Sequence, residues 1–379
     1  MKLLPDHPPT VPLSERPEDG KLRLLRECID STDQAILGLL NRRAAYSLEI
    51  GGIKGKTDSP IFRPAREEEV MQKILDANKG PLREEHLRAV YREILSASRA
   101  LQRSQKVAFL GPEGTFSHMA CLDYLGHSFA YAPMMHLRDV FEAVENRECM
   151  LGVVPLENSL NGSVGKSLDL FAEHEVYVQA EWFSRIRLSL MSTETSRAAV
   201  RVIYSHAQPL GQCAAWLREH CPGAKQVSLE STAAAAHRAS REPGAASVGH
   251  AGLADQLGLN VLASGIEDVQ DNWTRFFVIS AVPAGESGTD KSSIVFALAD
   301  KPGSLAEALN ILAGAGINMS KLESRPMPGE RWKYLFFADL DCDINAPEQA
   351  RALEALRGHC PRLRILGSYL SGTHVHALQ

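Results

Sequence analysis

The spacing of apolar residues changes character twice along the 379 residues, and this limits the chain to three segments of different architecture. From Lys21 to about Gln105, the residues Leu22, Leu25, Ile29, Ile36, Leu40 and Leu48 recur at three-, four- and seven-residue spacings or their multiples. That gives a helix one apolar stripe. The pattern predicts a second helix over Arg66–Ala77 and a third over Arg83–Gln102, separated by the stop signal Lys79–Gly80–Pro81. An earlier loop is expected at Thr57–Pro60, and no strand is expected. Residues 20–105 therefore read as a small all-helical domain with one very long first helix.

Between Lys106 and Ser280 short apolar runs alternate with amphipathic stretches. Strands are expected at Val107–Leu110, Leu151–Val154, Val176–Ala180, Arg201–Ser205, Ala246–Val248 and Phe276–Ile279. Helices are expected at Leu137–Asn146, Gly211–His220 and Thr232–Arg241. Such alternation indicates an α/β domain over 106–282 with mainly parallel sheets. Its size allows two lobes with a ligand cleft between them.

After the polar linker Gly285–Asp290 come strands at Ser292–Ala299, Ile317–Glu323, Lys333–Leu340 and Arg362–Tyr369. Helices at Ser304–Ala315 and Ala346–Leu356 complete a βαββαβ order over 291–370, the ferredoxin-like pattern. The proline-rich residues 1–19 read as a disordered leader, and the last few residues through Gln379 as a frayed tail.

Composition excludes several function classes. Hydrophobic residues make up 44% and charged residues 23% of the chain, which suffices for more than one core. A net charge of −5 argues against a nucleic-acid binder, which carries a basic excess. No apolar run approaches the roughly 18 residues of a membrane span, and the leader lacks the apolar core of a signal peptide. The seven cysteines are odd in number, scattered and never spaced C-x-x-C. They fit reduced thiols in a cytoplasm, with neither a disulfide framework nor a zinc site.

The helical segment carries Arg26, Arg43, Lys54, Arg63, Arg66, Glu67, Ser98 and Gln102. A solvated basic face would account for such residues. Their spacing adds geometry: at ~100° per residue, the step from Arg43 to Lys54 returns to nearly the same helix face. Ser98 and Gln102, an i, i+4 pair, also share a face. Arg26 precedes Arg43 by about 26 Å of straight helix, too far for one small anion to touch both. If both arginines bind substrate, Arg26 serves the pocket of a partner subunit, and the segment forms an intertwined dimer.

Leu-Arg-Glu-Cys-Ile-Asp (Leu25–Asp30), Asn-Arg-Arg (Asn41–Arg43), Ile-Lys (Ile53–Lys54), Arg-Pro-Ala-Arg-Glu (Arg63–Glu67) and Ser-Ala-Ser-Arg-Ala-Leu-Gln (Ser96–Gln102) resemble the all-helical class of chorismate mutase. That resemblance implies that Arg26 and Arg43 clamp the two carboxylates of chorismate, as forked guanidiniums suit. Lys54 and Gln102 would hydrogen-bond the ether oxygen, where negative charge grows as the C–O bond stretches. Glu67 would hold a ring hydroxyl and Ser98 a carboxylate. Arg63, a further substrate contact, stands where some members place an acid. The rearrangement is unimolecular, so preorganised charge and a compact conformer suffice.

The central segment is punctuated by Gly111–Ser117 (Gly-Pro-Glu-Gly-Thr-Phe-Ser), Pro155–Ser159 (Pro-Leu-Glu-Asn-Ser), Ser205–Pro209 (Ser-His-Ala-Gln-Pro) and Asn272–Phe276 (Asn-Trp-Thr-Arg-Phe). Singly, each has a structural reading: a Gly-Pro turn, a helix cap at Asn158–Ser159, a core histidine at His206. Glycine-flanked Thr115 and Ser117 precede a helix and could present backbone N–H groups to an anion. Ser205–His206 lacks the Gly-x-Ser-x-Gly elbow of a hydrolase, and no G-x-G-x-x-G follows the first strand, so NAD is not implied.

In order and spacing, Lys106–Ser280 resembles prephenate dehydratase. The resemblance implies a two-lobed, periplasmic-binding-protein-like α/β domain that converts prephenate to phenylpyruvate with loss of carbon dioxide and ring hydroxide. It assigns Thr274 as the group donating toward the departing hydroxyl. A threonine hydroxyl is a poor general acid, so a positioned hydrogen bond polarised by neighbours such as Arg275 is the physical description. Arg275 is expected to pair with a carboxylate and Phe276 to pack beneath the site. Thr115, Ser117, Glu157, Asn158, Ser159, Ser205, His206 and Asn272 are further candidates to line the cleft.

In the last segment, Lys301–Leu305 (Lys-Pro-Gly-Ser-Leu) and Glu323–Pro326 (Glu-Ser-Arg-Pro) read structurally as a helix N-terminus and a β-turn. They resemble the ACT regulatory domain of phenylalanine-sensing dehydratases, which implies an effector site at Gly303, Ser304, Leu305, Glu323, Ser324 and Arg325. Ser304 stands where alanine often occurs. The three segments in order resemble the bifunctional chorismate mutase–prephenate dehydratases. That family implies chorismate and prephenate as substrates, phenylalanine as effector, a homo-oligomer (dimer or tetramer), and no metal or organic cofactor. Two alternatives remain open from sequence. One is a dehydratase whose helical domain only dimerises or regulates, motivated by Arg63 and by Gly51–Gly52 inside the first helix. The other is a non-enzymatic amino-acid sensor, which would have no need of Thr274.

Overall fold

The computed structural model describes residues 18–54, 62–102, 105–284, 290–327 and 334–372, with Glu18, Asp19 and Lys54 described by backbone alone. Most of the expected leader, the Thr57–Pro60 loop, most of the linker, Lys333 and most of the tail lie outside the described residues. Contacts divide the described chain into two compact units: 18–54 with 97–102, and 62–96 with the residues from 105 onward. This division cuts across the helical segment read from the sequence.

The first unit is built on α1 (Glu18–Lys54), 37 residues without a break. The segment's other helices are α2 (Pro64–Ala77) and α3 (Glu84–Gln102), and the C-terminal turns of α3 pack on α1 within this unit. Contact there is backbone to backbone: a Cβ on Gly51 would lie 2.9 Å from the Cα of Gln102. Glycine inside a helix normally weakens it; here it permits the close approach. Leu22, Leu25, Ile29, Ile36, Leu40 and Leu48 remain exposed.

The rest of α3 and all of α2 belong to the second unit. Pro64 occupies the first turn of α2, where its missing N–H costs nothing. Phe62 joins the core cluster of Val107, Phe109 and Leu125, and Ser96 accepts from the Ser128 N–H at 3.1 Å.

The first lobe of the α/β region holds β1 (Lys106–Leu110), α4 (Phe116–Leu125), β2 (Ala130–Met134), α5 (Leu137–Glu145), β3 (Leu151–Asn158), β4 (Gly162–Ser163), α6 (Gly165–Glu173) and β5 (Tyr177–Arg185). The second holds β6 (Ser189–Ser192), β7 (Val202–Ser205), α7 (Ala207–Gln212), α8 (Ala214–His220), β8 (Lys225–Ser228), α9 (Thr232–Ala239), β9 (Ala245–Gly249), α10 (Gly252–Leu257) and β10 (Asn260–Ser264). The chain then returns as β11 (Trp273–Ser280) to the first sheet, order β2-β1-β3-β11-β5; the second sheet runs β10-β6-β9-β7-β8.

Both sheets are mixed, which corrects the expectation of mainly parallel pairing. β11 is antiparallel to β3 and β5, and β6 is antiparallel to β9 and β10. These strands carry the chain from one lobe to the other and back, so no βαβ crossover dictates their direction. The expected helix at Gly211–His220 is broken at Cys213 between α7 and α8. Strands β8 and β10 escaped the sequence reading because they are sheet edges, short and partly polar, and β2, also an edge, contains Pro133.

β11 positions the site. Its apolar run is buried on both faces, as a central strand requires. Phe276 and Val278 enter the cluster with Phe109 and Val153; Phe277 and Ile279 enter the other, with Phe141 and Phe171.

The C-terminal domain comprises β12 (Lys291–Ala297), α11 (Ser304–Gly314), β13 (Met319–Pro326), β14 (Tyr334–Leu340), α12 (Ala350–His359) and β15 (Arg362–Tyr369), with antiparallel sheet order β13-β14-β12-β15. Both faces of this sheet are buried. Ile294, Phe296, Ala338 and Leu340 pack under α11 and α12, while Val295, Leu335, Phe337 and Tyr369 share the cluster of Phe141, Phe171 and Phe277. The Phe277 ring lies 5.7 Å from that of Tyr369. Each such side chain contributes about 1.5–3 kcal/mol on burial.

Candidate active sites

In the helical unit, an Arg43 guanidinium N–H donates to the Ser98 hydroxyl. One turn beyond Ser98, the Oε1 end of the Gln102 amide is buried and finds no partner among the described residues. Arg43, Ser98 and Gln102 thus converge, and the backbone of Lys54 follows one turn after Gly51. Arg26 is exposed far up the same helix. Arg63 precedes α2 and is exposed, whereas Glu67 is half-buried in the first turn of α2, in the other unit.

In the α/β region, Thr274 on β11 pairs directly with Asn158 on β3, so their side chains share one face. Asn158 Nδ2 donates to Thr274 Oγ1 at 3.0 Å, to Asn272 Oδ1 at 2.7 Å and to the Trp273 carbonyl at 3.0 Å. The amide cannot be turned round, because Asn158 Oδ1 already accepts from the backbone N–H groups of Leu160 and Asn161 at 3.2 and 3.1 Å. Ser159 Oγ accepts from the Trp273 N–H at 2.9 Å. Asn272 is fully buried, and its amide nitrogen finds no acceptor among the described residues. Asn158, Ser159, Asn272 and Thr274 therefore form one group.

The remaining candidates have other partners or surroundings. Thr115 caps α4, donating to the Leu110 carbonyl at 3.0 Å and accepting from the His118 N–H; Ser117 is buried in the first turn. Ser205 is fully buried and donates to the Val248 carbonyl at 2.6 Å, while exposed His206 caps α7. Glu157 holds Lys321 of the C-terminal domain at 2.9 Å. Phe276 is buried in the core.

Arg275, expected to pair with a substrate carboxylate, commits its guanidinium to protein groups on the opposite face of β11. Nε donates to Glu181 at 2.7 Å, Nη1 to Asp339 at 2.5 Å and Nη2 to the Tyr369 hydroxyl at 3.3 Å. Burial disfavours the charge, but Asp339, Tyr369 and Glu181 outweigh it and hold the pKa above the ordinary arginine value. The reason is strand alternation: neighbours in sequence point to opposite faces.

Among the effector candidates, Gly303 precedes α11 with φ 89°, Ser304 is buried with no partner for its hydroxyl among the described residues, and Leu305 is half-buried. Alternation on β13 turns Ser324 outward and Glu323 and Arg325 inward. The Ser163 hydroxyl donates to Glu323, and Arg325 forks onto both carboxylate oxygens of Asp169 at 2.8 Å. The sequence reading missed Asp169, Glu181, Lys321 and Asp339. For two of them a signal existed: Glu181 and Asp339 are lone charges inside apolar strand runs, which are buried only when paired.

Family models match in the order of these segments: chorismate mutase type II over residues 25–103, prephenate dehydratase over 107–284 and the ACT domain over 292–358. A solved prephenate dehydratase from Arthrobacter aurescens, in complex with L-Phe, is 32% identical with a TM-score of 0.65, covering 70% of this chain and 90% of that one. A quorum quenching acylase, GqqA, is 29% identical at the same TM-score of 0.65, covering 70% and 98%. The fold alone therefore does not decide the chemistry. The bifunctional chorismate mutase/prephenate dehydratase of Aquifex aeolicus is 41% identical over 92% of this chain and 98% of its own length. With all three modules in order and such a relative spanning nearly the whole length, the chain belongs to the bifunctional chorismate mutase/prephenate dehydratases, enzymes that rearrange chorismate to prephenate and convert prephenate to phenylpyruvate.

Proposed function

We propose that Thr274 donates a hydrogen bond to the ring hydroxyl as it leaves prephenate as hydroxide, and that Asn158 makes it a donor. One observation carries this reading: Thr274 Oγ faces the amide nitrogen of Asn158 at 3.0 Å. That NH₂ group donates and cannot accept, so the threonine proton must point elsewhere, and it has no acceptor among the described residues. As the ring carboxylate departs as carbon dioxide, its electron pair enters the ring and the C–O bond breaks toward hydroxide. The hydrogen bond strengthens as that charge develops. Asn272 and Ser159 tie the start of β11, which carries Thr274, to the end of β3 and the residue that follows it. In Thr274→Val the dehydratase kcat should fall on the order of 10²–10³-fold while mutase turnover is unchanged; a variant that keeps its dehydratase rate removes Thr274 from the mechanism.

For the rearrangement, Arg43, Ser98 and Gln102 form the core of the chorismate site, with Lys54 on the same helix face. The buried, unpartnered end of the Gln102 amide supports a ligand contact there. Arg26, too far along α1 to reach the same anion, serves the partner subunit. The exposed stripe from Leu22 to Leu48 supports a homodimer through α1, for which sedimentation of the full chain is the check. Phenylalanine acts as an allosteric inhibitor through the C-terminal domain, read by titrating it into the dehydratase assay. Seven free cysteines, five of them buried, suit a cytoplasmic setting. The working domain limits are 20–105, 106–282 and 291–370.

A further inference from the structure

We infer that Asp339, a residue of the C-terminal domain, is a positioning residue for the dehydratase reaction: it anchors Arg275 and so sets where Thr274 lies against Asn158. The inference rests on the reading of Thr274 as the donor.

On the β5 side of β11 the ladder runs unbroken through Thr274, opposite Ser184, and Arg275, opposite Phe183. Pairing with β3, the strand that carries Asn158, slips between Arg275 and Phe276, and a bulge re-aims the strand where it occurs. The residue at the slip, Arg275, is held through its side chain. All three guanidinium nitrogens of Arg275 are engaged, and its side chain is 7% exposed. Its partners are Glu181, Asp339 and Tyr369, all of them protein groups.

The anchor is a closed charge cluster. Glu181 also receives Lys291 at 3.1 Å, so two carboxylates answer two cations. Asp339 Oδ1 accepts from Ser293 Oγ at 2.5 Å, and Ser293 in turn meets the Tyr369 hydroxyl at 2.6 Å. Asp339, Ser293, Lys291 and Tyr369 all belong to the C-terminal domain; only Glu181 and Arg275 are dehydratase residues. Removing the Asp339 charge leaves Glu181 shared between two cations, and Arg275 loses the partner on its Nη1 side. Thr274, one peptide away, then loses its fixed separation from Asn158. The C-terminal domain thereby supports the dehydratase rate with no effector bound.

The test uses the full chain without phenylalanine, comparing Asp339→Asn, Arg275→Lys, Ser293→Ala and Thr274→Val. In D339N and R275K the dehydratase kcat should fall by about tenfold or more, the scale of a slightly misplaced group. The prephenate KM and the mutase rate should stay at wild-type values, and S293A should show a smaller kcat loss of the same kind. A rise in KM with kcat retained in R275K would make Arg275 a substrate contact and overturn the inference. Wild-type kcat in D339N, with T274V inactive, overturns it too while leaving the donor reading intact. A T274V that stays active instead sinks the donor reading. If D339N does not fold, S293A decides: lowered kcat at constant KM supports the anchor, and unchanged kcat refutes it.

Discussion

The helical unit and the strand β11 place their functional side chains by opposite means. In the helical unit, candidates recur at helical spacing on one face of a helix: Ser98 of α3 meets Arg43 of α1, and Gln102 follows one turn after Ser98. On β11, residues adjacent in sequence do different work: Thr274 faces Asn158, while Arg275 faces Glu181 and Asp339. A helix gathers a motif onto one side, and a strand divides it between two. A signature read as a block, such as Thr-Arg-Phe, therefore mixes the proposed hydrogen-bond donor with a buried ion-pair residue and a core residue.

The contrast predicts separable losses. Arg43→Ala should lower mutase turnover on the order of 10²–10³-fold, because a charge-complementary donor is removed from the site, while dehydratase turnover stays at wild type. A parallel loss of both rates would break the picture of two independent sites.

Asn158→Asp probes the direction of the Thr274 proton. Burial raises the pKa of the new carboxyl. Above that pKa the carboxylate accepts the threonine proton and withdraws it from substrate. Below it, the protonated carboxyl can donate to Thr274 Oγ as the amide does. Dehydratase activity of N158D relative to wild type should thus start on the order of 10²-fold down and recover as pH falls. A ratio that is flat with pH, or that improves as pH rises, contradicts the assignment.

The smallest effect concerns helix contact. Gly51→Ala ordinarily stabilises a helix by about 0.5–1 kcal/mol. Here the added Cβ meets the Gln102 backbone at 2.9 Å, and such overpacking costs about 1–3 kcal/mol. The clash should win, giving a less stable helical unit and a modest fall in mutase rate; a higher melting temperature would show that the two helices can part freely.

Much of this was legible in the sequence, because local periodicity carries it. The three helices, the six anticipated α/β strands and the βαββαβ order follow from apolar spacing, and the motif residues Thr274, Asn158 and Asn272 from their resemblance. Edge strands such as β8, Lys-Gln-Val-Ser, were not legible, since a half-exposed edge carries no apolar run. Gly51–Gly52, read as grounds to doubt a working helical site, includes a close contact at Gly51 with the very turn that holds Gln102.

The sequence by itself determined the helices and the apolar strands, since these depend on neighbours a few positions away. Only the tertiary structure decided what Arg275 binds. Its partners lie 94 and 64 residues away in the chain, and strand alternation, sheet order and the docking of the C-terminal sheet on Phe277 were all needed to bring them together. A buried charge must find an opposite charge, but which one it finds is settled by the packing of whole domains.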